Sequence, residues 1–296
     1  MNQPGCLQLS QKELTRRSEI LLEGLKNCTL CPRHCQVDRT ADQKGDCRTA
    51  RRAVVASAQL HFGEEPEISG TQGSGTIFFS RCNLHCQFCQ NHDISQSGYG
   101  SPVSAFELAT MMLDLQNRGA HNINLVTPSH VVPQILEALC LAVPMGLNLP
   151  LVYNSGGYDE VTTLQLLDGI IDIYMPDFKT LSSDFASTYL RAADYHNVAA
   201  RALTEMHRQT GLLQTDSTGI AHKGLLIRHL VMPGRLEDTR QILAWIAAHL
   251  SPQTHVNLMG QYHPAFKARE HPALDTALNR RDYQQALALK REMLGH

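Results

Sequence analysis

The chain has 296 residues, long enough for one large domain with a small appendage around a substantial core. Apolar residues make up 43% and charged residues 18%, which excludes a disordered chain and reads as soluble and globular. A formal net charge of −2, without a basic run, argues against a nucleic-acid surface.

The polar start, Met1 to Glu19, lacks the apolar core of a secretory signal. The most apolar stretch, Ile135 to Tyr153, is interrupted by Glu137, Pro144, Asn148 and Pro150, so it reads as helix, turn and strand rather than a membrane span. The expected compartment is therefore the cytoplasm, with no membrane partner. Residues 1 to about 70 show little periodicity and carry Cys28, Cys31, Cys35 and Cys47. From Thr76 onward strands and helices alternate. The expected strands are 76–80, 122–126, 150–154, 170–174, 225–231 and 255–259, each rich in Val, Ile, Leu, Tyr or Phe. Helices are expected near 105–118, 131–141, 159–167, 194–210, 237–249 and 282–294. Ser104 with Glu107 forms a capping box for the first, Val103 with Leu108 its hydrophobic staple, and Gly119 closes it. This alternation predicts an α/β fold with a parallel sheet and right-handed crossovers. Six units fall short of a closed eight-stranded barrel, so the expected architecture is a (β/α)6 partial TIM-type barrel over residues 71–264. A small Cys-rich segment precedes it at 1–70 and a helical tail follows at 265–296. Ligands in such sheets sit at the carboxyl ends of the strands.

Nine cysteines in a reducing compartment suggest metal or catalysis before disulfides. Cys6 and Cys140 stand apart, and Cys140 reads as a small core residue in an apolar helix. Cys82, Cys86 and Cys89 have C-x3-C-x2-C spacing directly after the first expected strand. Thiolates are the usual ligands of iron–sulfur clusters, normally four per cluster, so three from one loop can hold a [4Fe–4S] cluster and leave the fourth iron open. The competing reading is zinc held by these thiolates with His85 or His92. The position at the first strand-to-helix loop speaks against it.

The loop CNLHCQFCQN after the strand GSGTIFFS resembles the radical S-adenosylmethionine (SAM) superfamily. More narrowly, it resembles that superfamily's pyruvate formate-lyase activating enzyme-like group. The resemblance runs from about Cys28 to Pro264 through LCPRHC, HFGEEP, INLVTPSH, PLVYNSGGY, IDIYMPDFK, RHLVMPG and NLMGQYHP. It implies the partial barrel, a [4Fe–4S] cluster at Cys82, Cys86 and Cys89, and SAM as co-substrate. It also implies reductive cleavage of SAM to a 5′-deoxyadenosyl radical that activates a glycyl radical enzyme or modifies another protein or peptide. A reductant such as flavodoxin or ferredoxin would supply the electron. The alternative is a non-catalytic metal-binding protein that holds zinc or a redox-sensing cluster.

The remaining candidates lie at other strand ends. Asp177 and Lys179, two residues apart on extended chain, point to the same side; they could pair with each other as a structural ion pair, or bracket the zwitterionic part of SAM. They also resemble an Asp-x-Lys of glycyl-radical activating enzymes. Asn154 and Ser155 open a glycine-rich turn where a backbone can approach a ligand. Thr127 begins Thr-Pro-Ser-His where many radical SAM proteins carry Gly-Gly-Glu, a departure that bears on recognition of the SAM amino group. Arg228 and His229 face opposite ways, with Arg228 the SAM or substrate candidate and His229 structural. Gly73–Thr76 reads as a turn, and His61, Glu64 and Glu65 as a solvated acidic turn. Cys28, Cys31, Cys35 and Cys47 could complete one further site, either structural zinc or an auxiliary iron–sulfur cluster, whose binding would supply folding energy to a segment with little core.

Overall fold

The alternating apolar runs become one mixed, mostly parallel sheet in a computed structural model that describes residues 3–295. Met1, Asn2 and His296, the ends of the two terminal segments, lie outside the described residues. The strands are β1 (Ala53–His61), β2 (Ser74–Phe79), β3 (Ser101–Val103), β4 (Ile123–Val126), β5 (Leu151–Ser155), β6 (Ile173–Pro176), β7 (Gln214–Thr215), β8 (Ala221–Leu230) and β9 (His255–Met259). Six of them, β2, β4, β5, β6, β8 and β9, pair in parallel in chain order and match the six expected strands. The others are antiparallel additions: β1 on β2, β3 on β1, and β7 on β8. The sheet does not close on itself.

Parallel register puts Ile77, Leu125, Tyr153 and Tyr174 in one cross-strand row. That face packs into the main core beneath the helices. Their neighbours Val152 and Ile173 face the other way. There they join Met175, Leu226, Ala221 and Ile68 in a second, smaller core on the inner face of the sheet. Ile68 comes from the short helix Pro66–Ser69, which stoppers that inner face.

Helices cover the outer face at Ala105–Asn117, Val132–Ala142, Tyr195–Thr210, Leu236–His249 and Arg280–Leu294, each within two residues of expectation. The Ser104–Glu107 capping box is formed in both directions, and Gly119 takes the left-handed conformation just past the helix end. Val103 and Leu108 are both buried in the main core. The helix expected over 159–167 is shorter, Val161–Gln165. The strand expected over 170–174 starts at Ile173, because Gly169 turns the chain at φ +74° and Ile170 and Ile171 are buried in that turn.

Two readings of the local sequence are corrected. Of Gly73–Thr76 only Gly73, at φ +84°, lies outside the strand, directly after the turn at 70–72. Ser74, Gly75 and Thr76 already belong to β2, and a Cβ at Gly75 would lie 2.7 Å from the Asn122 carbonyl. Cys140 is only partly buried, beside Thr15 and Ser18 of the helix Gln11–Glu23. That helix and β1 were not foreseen. The helix buries only Leu14, Ser18 and Leu21, so its apolar stripe is faint.

Candidate functional site

The loop that follows β2 is pinned from several sides. Arg81, at φ +74°, turns the chain, and its N–H donates to the Ile94 carbonyl (3.0 Å). The His85 N–H donates to the Leu190 carbonyl (3.1 Å) and the Gln87 N–H to the Tyr189 carbonyl (2.8 Å). Asn83 Nδ2 donates to the Tyr158 carbonyl (2.7 Å). Cys82, Cys86 and Cys89 ride on this frame, all as free thiols. The Leu84 N–H donates to Cys82 Sγ (3.3 Å), and Cys89 Sγ shares a hydrogen bond with Ser95 Oγ (3.1 Å). Burial pushes the Cys86 thiol up to about 12, opposed by the Lys179 charge. Burial raises Cys82 as well, with Cys86 and Cys89 adding to the rise. Among the described residues no three His, Cys, Asp or Glu side chains are already drawn into a ligating group. The three thiols are close enough to act on one another's charge, and three thiolates on one anchored loop suit an iron–sulfur cluster by donor type. His85 is engaged elsewhere: Nε2 meets Asp46 Oδ2 (2.8 Å) and Nδ1 meets Gln96 Oε1 (3.2 Å).

Across from the loop lies a network of charges. Lys179 Nζ donates to Asp177 Oδ2 (2.6 Å), and Arg228 Nε donates to Asp177 Oδ1 (3.0 Å). Arg228 Nη2 also donates to Asn154 Oδ1 (2.7 Å). The backbone enforces this convergence. Asp177 continues β6 as a bridge to Arg228 in β8, where the Phe178 N–H donates to the Arg228 carbonyl (2.8 Å). Burial works against the ionised Asp177, but Lys179 and Arg228 outweigh it and hold the carboxyl below its ordinary value. Lys179 is likewise opposed by burial and raised by Asp177 and by Cys86. Glycines let the loop and the network close together. A Cβ at Gly156 would sit 3.1 Å from Leu84 Cδ1 of the loop and 3.7 Å from Lys179 Cε, and one at Gly157 (φ +76°) would collide with the Asp177 carbonyl.

Glu64 and Glu65 belong to this network, which corrects their reading as a solvated acidic turn. Their side chains are 8% and 6% exposed. Glu64 Oε2 lies 3.4 Å from Arg228 Nη1, and Glu65 Oε1 accepts from Asn257 Nδ2 (2.9 Å). Burial pushes Glu64 up to about 7, with Arg228 pulling against it and Glu65 adding to the rise. Asp177, Lys179, Arg228 and Asn154 are thus brought together. Ser155 is not: its hydroxyl donates to Asp159 Oδ2 (2.7 Å) on the opposite side of the strand. Thr127, at φ +60°, offers its N–H to the Asn154 carbonyl (2.9 Å), so it supports the network through backbone. His130 is buried with Nε2 on the Ser80 carbonyl (2.9 Å), and burial lowers it to about 4. His229 points away from Arg228, to the Phe178 carbonyl and Thr239 Oγ1.

The second cysteine set is packed against the first loop. Cys28, Cys31 and Cys47 are each 7% exposed, and Cys35 is half-buried. Cys31 and Cys47 feel Cys28, and Cys31 feels Cys47. Cys35 Sγ accepts the Asp46 N–H (3.2 Å), and a Cβ on Gly45 would lie 2.7 Å from Cys35 Cβ and Sγ. Asn83, within the first loop, reaches Cys31 with its side chain, and Arg33 Nε donates to the Asn83 carbonyl (2.8 Å).

No family model matches the chain. It is 31% identical over 284 residues to the uncharacterized protein MJ0674 of Methanocaldococcus jannaschii, a match that covers 93% of this chain and 78% of that protein. The chain belongs to the same family as this archaeal protein. The relative is itself uncharacterized, so it brings a family and no activity. Among the described residues no helix is long and apolar enough to cross a membrane.

Proposed function

We propose that the protein is a cytoplasmic radical SAM enzyme and that the six parallel strands are the (β/α)6 partial barrel of that chemistry. The observation that carries the reading is how closely the loop and Lys179 approach across Gly156, where a Cβ would lie 3.1 Å from Leu84 Cδ1 and 3.7 Å from Lys179 Cε. The anchored three-thiol loop and the Asp177–Lys179–Arg228 network face each other at the carboxyl ends of the strands. Cys82, Cys86 and Cys89 would hold the [4Fe–4S] cluster through three irons. When bound, the cluster with SAM supplies one-electron cleavage of the sulfonium C–S bond. Lys179 and Asp177 would bracket the carboxylate and amino groups of SAM. Arg228 and Asn154 fix the orientation of Asp177, and Glu64 can hold or release a proton near neutrality.

The substrate class proposed is a hydrogen donor on a protein or peptide, a glycine of a glycyl radical enzyme included, with flavodoxin or ferredoxin as electron donor. Zinc held with His85 is disfavoured because both ring nitrogens of His85 are taken by Asp46 and Gln96, which leaves His92, whose buried Nδ1 has no partner among the described residues, as the imidazole a zinc site would use. Anaerobic reconstitution with iron, sulfide and zinc all present tests the reading. The loop should take about four irons and four sulfides, and SAM should perturb the electron paramagnetic resonance signal of the reduced cluster. Zinc without iron, or a signal indifferent to SAM, would overturn it.

A further inference from the structure

Arg39 is buried to 1% exposure, and among the described residues no carboxylate pairs with it. Its Nε and Nη2 donate to the Ala50 carbonyl (3.1 and 3.0 Å), and its Nη1 donates to the His130 carbonyl (2.9 Å). The remaining neighbour is sulfur: Arg39 Nη1 lies 3.9 Å from Cys28 Sγ, and the Arg39 charge also acts on Cys47. A guanidinium cannot shed its proton in a protein, and a buried charge without a counter-charge is strongly unfavourable.

Neutral thiols supply no such counter-charge. Thiolates bound to a metal do supply it: four of them around one divalent ion carry a net charge of −2, and an iron–sulfur cluster held by four thiolates is likewise anionic. One amide donor is already in place for such thiolates: the Asp46 N–H donates to Cys35 Sγ (3.2 Å).

We propose that Cys28, Cys31, Cys35 and Cys47 hold an anionic thiolate–metal centre and that Arg39 is its built-in counter-ion. The same guanidinium ties this centre to the three-cysteine loop. It holds the His130 carbonyl, while the His130 ring holds the Ser80 carbonyl two residues before Cys82. The centre is thus a brace for the root of that loop. This inference does not depend on the proposed SAM chemistry.

The test uses the full chain carrying Cys82, Cys86 and Cys89→Ala, so that any metal found belongs to the other four thiols. The chain should retain either one zinc or a set of irons with matching sulfide, and elemental analysis with sulfide assay tells the two apart. Excess chelator should release the metal and, in step with it, four thiols reactive to a thiol reagent. Arg39→Met, which keeps bulk and removes charge, should weaken metal retention about 10–100-fold, as loss of an outer-sphere partner does, and Arg39→Lys should recover part of it. No retained metal in the triple variant, folded by circular dichroism, would overturn the centre. Retention unchanged in Arg39→Met would overturn the role of Arg39.

Discussion

The two cysteine-bearing regions touch through Asn83, yet their surroundings differ in kind. The Cys82–Cys89 loop looks across at two cations and three carboxylates, Lys179, Arg228, Asp177, Glu64 and Glu65, arranged at the ends of two strands and in the turn after β1. The Cys28–Cys47 segment looks onto one unpaired cation, Arg39, and backbone amides. Three thiols beside a set of paired charges leave room for a ligand with charges of its own. Four thiols with a buried cation beside Cys28 and Cys47 would compensate its charge once bound to a metal as thiolates. Thiol count and neighbouring charge together separate the proposed reacting site from the proposed brace.

The comparison breaks most sharply under proteolysis. Cys31→Ser with Cys47→Ser should make residues 28–50 sensitive to protease, with cleavage at least about tenfold faster, because the open form of that segment becomes populated. The Cys82, Cys86 and Cys89→Ala variant should keep near-parental resistance there. Equal sensitivity of the two variants would mean that the second segment is no brace.

Next in size is Asp177→Ala. It leaves Lys179 and Arg228 facing each other without their shared carboxylate, and breaking a pair of this kind costs about 3–5 kcal/mol. Urea unfolding should show that loss, and SAM binding should fail while iron content is unchanged.

A smaller effect is in pH. His130 is held neutral near 4 against about 6.5 when unfolded, so its contribution is present above 6.5 and is lost as pH falls toward 4. Asp172, which accepts from the Gly5 and Leu151 N–H groups, is raised by burial to about 6 against about 3.9 unfolded. Its contribution has the opposite sign: present below about 4 and lost as pH rises through 6. Each is worth roughly 3 kcal/mol across its window. In Asp172→Asn this part of the compensation disappears while that of Glu64 stays, and stability should fall more steeply between pH 6 and 4 than in the parent. A parallel pH profile would refute the assignment.

The smallest effect should come from Ser155→Ala, which removes the hydroxyl bonds to Asp159 and the Gly157 N–H. About 1 kcal/mol of stability should go, with SAM affinity unchanged, because this hydroxyl faces away from Arg228. A drop in affinity would return Ser155 to the site.

What the sequence made legible was local. The six parallel strands read clearly because each is a short apolar run bounded by turns, and the Ser104 helix because its cap, staple and closing glycine lie within a few residues. Ser10 with Glu13 offered a similar signal for the helix Gln11–Glu23, since the Ser10 hydroxyl accepts the Glu13 N–H, but the faint apolar stripe hid it. Glu64 and Glu65 were misread because their partners are distant: Arg228 is 164 residues from Glu64, and Asn257 is 192 from Glu65. A charged turn and a buried charge cluster look alike until the chain folds back on itself. Ser155 was misplaced for a simpler reason. It neighbours Asn154, and on a strand neighbours face opposite sides.

The Cys82–Cys86–Cys89 loop and the Asp177–Lys179 pair are proposed to form one SAM-cleaving site together. The most direct measurement is 5′-deoxyadenosine formed by the anaerobically reconstituted protein given dithionite and SAM, run beside Cys86→Ala and Lys179→Met. The account predicts product from the parent protein, none from Cys86→Ala, and a strongly reduced yield from Lys179→Met at full iron content. No product from parent protein fully loaded with iron and sulfide, or undiminished product from Lys179→Met, would contradict it.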